Sequence, residues 1–137
     1  DFFVDLLTTV LGPAEVITEI VIPAAAAGTG SAYVKFANKA SHYAIVGVAA
    51  SVTVSGGVCQ DARIGVTGAG PKAVRATEAE AALRGEALDN ATVEAAAERA
   101  GAGIDFSEDI HASAGYRAHL TSVYARRAIA AAASRAG

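Results

Sequence analysis

The feature that most constrains this 137-residue chain is a pair of β-branched runs joined through Ser55-Gly56-Gly57. Val46, Val48, Ala50, Val52 and Val54 recur at every second position, so they share one face of a strand. The glycines then turn the chain back on itself, the strongest short-range signal for an antiparallel hairpin. On the return strand, simple alternation puts Val58, Gln60, Ala62, Ile64 and Val66 on one side and Cys59, Asp61, Arg63 and Thr67 on the other. Valine and isoleucine dominate one side of both strands, and that side is expected to carry the core. Gly47, Ala49 and Ser51 make the opposite side small, which permits a helix or another domain to approach closely.

Around this hairpin the chain changes character. Up to about Thr67 the pattern is that of strands; beyond Arg75 it is alanine-rich and helical. Glu15 to Ile22 is β-branched and stops at Pro23, which cannot donate to a ladder, so a strand is expected there. Ala24 to Gly30 follows as a loop. Ser31 to Phe36 alternates, with Tyr33 and Lys35 on one side and Ala32, Val34 and Phe36 on the other.

Three helices are expected downstream. The first opens with Thr77-Glu78-Ala79-Glu80, a capping-box spacing, and ends at Gly85. The second begins at Asp89 or Asn90 and runs to Gly101 or Gly103. The third begins near Ser113 and runs to the C-terminus, with Tyr116, Leu120 and Val123 on one side. Strands followed by a run of helices predict an α+β fold, an antiparallel meander of three to four strands with three helices packed on one face.

Composition narrows the function. At 53% hydrophobic and 18% charged, the chain can bury the core of one domain. A net charge of −3 argues against nucleic acid, which calls for a basic excess. Polar residues or glycine interrupt every apolar run, so no membrane span is expected. Cys59 is the only cysteine, which excludes an intrachain disulfide and a self-contained iron–sulfur cluster. No cationic-then-apolar leader opens the chain, and secretion is not expected. Methionine is absent, which predicts a piece of a longer polypeptide.

Most candidate motifs reduce to structure. Gly68-Ala69-Gly70-Pro71-Lys72-Ala73 fits the permissive dinucleotide pattern, whose glycines and helix N-terminus cradle a pyrophosphate. Its context is wrong, since the preceding strand belongs to an antiparallel hairpin and no parallel strand follows. It reads as a strand-to-helix turn. His42, His111 and His119 are scattered without a spaced ligand pair, and Glu108, Asp109 and Asp105 lack the alternation of a calcium loop. Cys59, mid-strand and without a base, reads as a buried small hydrophobe. Arg126 and Arg127 suit the C-terminal dipole of the last helix, and Arg99 that of the second. Lys35 and Tyr43 differ: at the ends of adjacent strands, an ammonium and a phenol could border a ring-binding cleft, although a solvated lysine and a half-buried tyrosine fit the same periodicity.

An ordered series of short motifs runs through the chain: Ala32-Tyr33-Val34-Lys35, Tyr43-Ala44, Asp61-Ala62-Arg63-Ile64, Gly70-Pro71, Val74-Arg75-Ala76, Ala79-Glu80-Ala81-Ala82-Leu83, Gly85, Ser113-Ala114, Tyr116-Arg117, Leu120 and Arg127-Ala128. The series resembles the C-terminal domain of the FAD-binding (medium) subunit of the molybdenum hydroxylases, the xanthine dehydrogenase and carbon monoxide dehydrogenase family. Asp1-Phe2-Phe3-Val4 and the stretch from Glu15 to Pro23 look like the end of that subunit's FAD domain and the crossing into this one. The resemblance therefore implies residues 1–23 as the end of the preceding domain and 24–137 as the C-terminal domain.

What the resemblance implies is one part of an enzyme, inactive alone. FAD would be held mainly by an N-terminal domain with Gly-rich loops, and this domain would close one side of the isoalloxazine pocket. Lys35 matches the family lysine near the flavin ring, and Tyr43 an aromatic that covers one flavin face in carbon monoxide dehydrogenase-like members. A cation there would stabilise charge on the reduced ring, and a stacked phenol would limit solvent access. The implied partners are the chain's own FAD domain, an iron–sulfur small subunit and a large subunit with the molybdenum cofactor, all cytoplasmic. Two departures stand out. Ser41-His42 replaces a frequent Gly-Asp before the tyrosine, and Gly115 replaces a common Glu, weakening the start of the last helix. The rival from another class is a protein-interaction or oligomerisation module that keeps the fold without the flavin role.

Overall fold

A computed structural model of the chain describes residues 2–136. Asp1, which opens the resemblance, and Gly137, which ends the expected domain, lie outside them. Two short strands, β1 (Phe3–Asp5) and β2 (Thr8–Thr9), form a small antiparallel ribbon. The main sheet follows with β3 (Thr29–Ala37), β4 (Ala44–Ser55), β5 (Val58–Thr67) and β6 (Val74–Arg75), antiparallel in the order β3-β4-β5-β6. The helices α1 (Thr77–Leu83), α2 (Asn90–Glu98) and α3 (Ala114–Ala133) complete the α+β architecture expected from the sequence. No helix among the described residues is long and apolar enough to cross a membrane.

The hairpin turns as its glycines require. Ser55 pairs with Val58, so Gly56 and Gly57 are the two central residues, at φ 59° and 80°. Both are left-handed, the conformation of the tight turn that matches strand twist. One correction follows immediately. The register slips between Thr53, which faces Asp61, and Val54, which faces Cys59, so Gln60 is a bulged extra residue. A bulge reverses the alternation on its far side. Gln60 is therefore exposed and Cys59 fully buried, alongside Ala62, Ile64 and Val66. Burial, followed by the nearby Asp61 carboxylate, raises the Cys59 thiol above its ordinary value, as expected of an inert core cysteine.

One face of the sheet is covered by helices. α3 lies across β3 and β4, α1 lies on β5, and α2 bridges α1 and α3. The core joins Val46, Val48 and Val52 to Ile64, Leu83 and Ile129, with alanines filling the remainder. Each large side chain contributes about 1.5–3 kcal/mol, against roughly 0.8 kcal/mol for the methyl of an alanine. The alanines serve chiefly to let backbones approach. At Gly30 on β3, a Cβ would collide with the Ala132 carbonyl and the Ala136 amide at the end of α3.

Helix starts follow the sequence in two cases of three. Asp89 caps α2 by accepting from the Thr92 N–H, and Ser113 caps α3 by accepting from Tyr116. The α1 capping box does not form, because Glu80 is drawn elsewhere. Its buried carboxylate accepts from the Ile64 N–H at 2.8 Å, Arg75 Nε at 2.7 Å and Arg84 Nη2 at 3.1 Å. The edge of β5 accounts for this. β6 pairs only with Gly65 and Val66; beyond it, the Ala76 N–H donates to the Ile64 carbonyl and Arg84 Nη2 to that of Ala62. Glu80 completes the same edge. The buried stripe of α3 also differs from the expected one: it runs through Arg117, Leu120, Thr121, Ala125, Ala128, Ile129 and Ala132, while Tyr116 is exposed. Because α3 continues to Ala133, Arg126 and Arg127 lie more than a turn from its end, and Arg127 stacks on Tyr124 at 4.9 Å.

The strand expected over Glu15–Ile22 is absent. The segment pairs with no strand, and Val16, Ile17, Ile20, Val21 and Ile22 are all exposed. β-Branched residues favour a strand only where a neighbouring strand supplies the ladder.

Burial works to raise the Glu80 carboxyl, but the Arg75 and Ile64 hydrogen bonds and the Arg75 and Arg84 guanidiniums outweigh it and hold it below the usual range. A carboxyl depressed by folding stabilises the protein above its unfolded value, and that contribution is lost as pH falls through the folded one. Glu80→Gln is expected to cost about 2 kcal/mol at neutral pH. In urea titrations, the gap between variant and wild type should shrink toward acid pH, where the native carboxyl is also neutral. A gap independent of pH would show that the charge contributes nothing.

Candidate functional site

Of the two residues singled out from the sequence, Lys35 lies near the end of β3 and Tyr43 ends the loop between β3 and β4. Asn38 organises it: its Oδ1 accepts from the Ala40 and Ser41 N–H groups, and its backbone N–H donates to the Tyr43 carbonyl at 2.8 Å. The His42 N–H returns to the Asn38 carbonyl, and His42 sits at φ 59°. A left-handed conformation is uncommon for a residue with a Cβ and persists only where its surroundings hold it. Lys35 supplies part of that hold, donating from Nζ to the His42 carbonyl at 2.7 Å. Lys35 and Tyr43 are thus brought together, the ammonium bracing the residue immediately before the tyrosine.

Tyr43 is 80% exposed, not half-buried. Its ring borders two adjoining clefts. One, of about 580 Å³, lies between Phe3, Leu7 and the turn Gly68–Lys72. The other, of about 500 Å³, is more polar and is lined by Asn38, Ser41, Asp109, His111 and Arg117. The Lys35 ammonium lines neither cleft.

Behind the clefts lies a residue to which the sequence analysis gave no role. Arg117, in the first turn of α3, is only 5% exposed. Its Nη1 donates to the Ile45 carbonyl at 2.6 Å and the Gly68 carbonyl at 2.8 Å, and its Nη2 to Asp109 Oδ2 at 2.6 Å. The His111 N–H leads in holding the Asp109 carboxyl below its ordinary value; desolvation comes next and opposes it, and the Ala112 N–H and Arg117 add to the lowering. The available signal was the Tyr116-Arg117 pair: an arginine among alanines, one position from the apolar stripe.

The glycine-rich turn is explained by packing. A Cβ at Gly68 would press on the Ala44 and Ile45 carbonyls, and one at Gly70 on the Asp105 carbonyl. The Ala69 carbonyl already accepts from the Ser107 N–H. The turn leads into β6 before α1, so it is not the direct strand-to-helix connection expected, and no helix begins directly after it. Among the described residues, no three of His, Cys, Asp and Glu are grouped as metal ligands.

The other face of the sheet carries no helix among the described residues. Gly47, Ala49, Ser51 and Gly65 keep it flat, and Tyr33, 53% exposed, lies over Gly47, where a Cβ would strike its hydroxyl. Arg63, Arg75 and Arg135 rim a shallow depression of about 560 Å³ there.

Comparison with known proteins gives a consistent result. The profile of the CO dehydrogenase flavoprotein C-terminal domain matches residues 31–132. The 6-hydroxypseudooxynicotine dehydrogenase complex subunit alpha of Paenarthrobacter nicotinovorans is 38% identical over 125 residues, covering 90% of this chain and 42% of the relative. The carbon monoxide dehydrogenase medium chain of Hydrogenophaga pseudoflava is 35% identical over 134 residues, covering 98% and 47%. Among solved structures, the Hydrogenophaga pseudoflava carbon monoxide dehydrogenase lacking the Mo-pyranopterin moiety superposes with a TM-score of 0.93 at 40% identity, over 98% of this chain and 47% of the matched one. Quinoline 2-oxidoreductase from Pseudomonas putida 86 gives 0.86 at 33% identity, over 98% and 46%. The chain therefore spans about half the length of the relatives it matches.

Lys35→Met should remove the brace while leaving the sheet intact. Amide exchange at Ser41, His42 and Tyr43 is expected to accelerate, with stability lowered by about 1 kcal/mol or less because the bond is exposed. Unchanged exchange in that loop would show that Lys35 does not hold it.

Proposed function

The chain belongs to the CO dehydrogenase flavoprotein C-terminal domain family, and on that premise we propose that it walls one side of the isoalloxazine ring of FAD in the medium subunit of a molybdenum-containing oxidoreductase. The observation that carries this reading is the presentation of Tyr43, an exposed phenol at the lip of a cleft on a loop braced by Lys35.

These residues suit one part of FAD and not another. A flat conjugated ring fits against an exposed phenol face with a cation nearby. The pyrophosphate finds no cradle, since backbone already occupies the space at Gly68 and Gly70 and no helix begins there. Anchoring of the phosphates then falls to Gly-rich loops of a preceding domain. Residues 1–23 are the end of that domain and the crossing from it, in keeping with the unpaired, apolar and exposed stretch Glu15–Ile22. When bound, FAD supplies the redox chemistry. Tyr43 would cover one face of the ring and keep water from it. Lys35 holds the loop with one of its three donors, and from outside the clefts its charge would add to the positive potential at the ring.

The relatives whose names describe dehydrogenase and hydroxylase subunits support a role within a larger complex. Electrons would reach the flavin from iron–sulfur clusters in a small subunit, themselves fed by a molybdenum cofactor in a large one, in the cytoplasm. The single buried Cys59 is in keeping with clusters held elsewhere.

In the complete subunit, Tyr43→Ala is expected to weaken FAD retention roughly tenfold, the loss of about one stacking contact. Lys35→Ala should alter flavin reoxidation, and both variants should fold. Unchanged flavin content and reoxidation in both would refute the assignment. A preparation of residues 1–137 alone should be colourless; a yellow one with stoichiometric FAD would contradict the missing phosphate cradle.

A further inference from the structure

We propose that Arg117 is a positioning residue of the flavin wall, fixing the pose of Tyr43 by clamping the carbonyls of Ile45 and Gly68; this rests on the flavin reading above. The starting point is a defect in the sheet. Phe36 faces Val46 and Ala37 faces Ala44, so Ile45 is an extra residue in β4, two positions after Tyr43. The β4–β5 ladder begins only at Gly47 and Thr67, leaving Ile45 and Gly68 just beyond its end. Both carbonyls converge there without strand partners, and buried carbonyls need donors.

Arg117 provides both from one nitrogen. Its planar fork reaches two carbonyls through Nη1 and the Asp109 carboxylate through Nη2, so three chain segments are fixed by one rigid group. The segments are the start of β4 just after Tyr43, the turn on the opposite side of its cleft, and the loop before α3. The helix places the group firmly: the Arg117 N–H donates to the Ser113 carbonyl and its own carbonyl accepts from Thr121 Oγ1 at 2.8 Å. Its Nε–H is buried with no partner among the described residues. The side chain is therefore oriented to serve its terminal nitrogens at the expense of Nε, as a clamp would be. A lysine could reach one of the three acceptors but could not hold all of them in one plane.

The test uses the complete FAD-loaded complex and reads flavin fluorescence and the rate of FAD release. Tyr43→Ala should brighten the flavin by removing the phenol that quenches it. Arg117→Lys should brighten it in the same direction and release FAD roughly threefold faster, with an unchanged far-UV circular dichroism spectrum. Combined with Tyr43→Ala, it should add little, since the residue acts through that ring. Wild-type fluorescence and release in a destabilised Arg117→Lys protein would overturn the proposal, reducing Arg117 to support of the fold. Full additivity with Tyr43→Ala would overturn it equally. If Tyr43→Ala leaves the flavin unaffected, the flavin reading falls and this proposal with it; an effect of Tyr43→Ala without one of Arg117→Lys removes the positioning role alone. Should Arg117→Lys not fold, Asp109→Asn, which loosens the fork while keeping its charge, carries the same expectation at smaller amplitude.

Discussion

Pairing of β4 with β5 determines where everything else in the molecule can lie. The two left-handed glycines of the turn set the register, and the bulge at Gln60 resets it one pair further on. Because side chains alternate strictly along a strand, these two events decide together that valines, Ile64 and Cys59 meet the helices while Gly47, Ala49, Ser51 and Gly65 face outward. The same register carries through to the far end of the hairpin, where Ile45, two residues after Tyr43, and Gly68 are left side by side. Geometry at the candidate site is thus inherited from a turn at the opposite end of the strands.

The helical layer adapts to that sheet through small residues. With Ala125, Ala128 and Ala132 on its inner face, α3 can lie close enough that Gly30 has no room for a methyl group. Such contact stabilises through dispersion spread over many atoms, with few large side chains to anchor it. A layer of this kind fixes position more than it adds burial, which suits a domain whose outer face is flat.

Much of this architecture was legible in the sequence because it depends on local rules. Alternation in β3 and β4, the glycine turn, the caps at Asp89 and Ser113 and the order of strands before helices all follow from spacing over a few residues. The proximity of Lys35 and Tyr43 was also legible, although the bond to the His42 carbonyl and the near-complete exposure of the phenol were not. What escaped were features decided by distant partners. Thr77 and Glu80 have the spacing of a capping box, but a backbone N–H on β5 competes for the same carboxylate and wins. Cys59 and Gln60 exchange faces because a bulge shows in a sequence only when a proline or glycine marks it. The stretch Glu15–Ile22 has every local property of a strand and lacks only a neighbour.

Glu80 and Arg117, the two buried ions among the described residues, solve the same problem at different corners of the sheet. β6 is two residues long, so β5 runs past its neighbour with an N–H and a carbonyl unpaired, and the Glu80–Arg84 pair supplies one acceptor and one donor to them. At the other corner, the extra residue in β4 and the glycine turn after β5 leave two carbonyls, and Arg117 supplies two donors. In both places an ionic side chain stands in for a missing strand, and a counter-ion within reach lets the charge remain buried. The alternatives differ in consequence. Extending β6 would close the edge that Glu80 serves without touching the cleft. Regularising β4 by deleting Ile45 would instead remove one of the two carbonyls that Arg117 holds and redraw the entry to the strand next to Tyr43. Arg117 is thus the group that makes the irregularity at Ile45 tolerable, by supplying donors to the carbonyls it leaves without a strand.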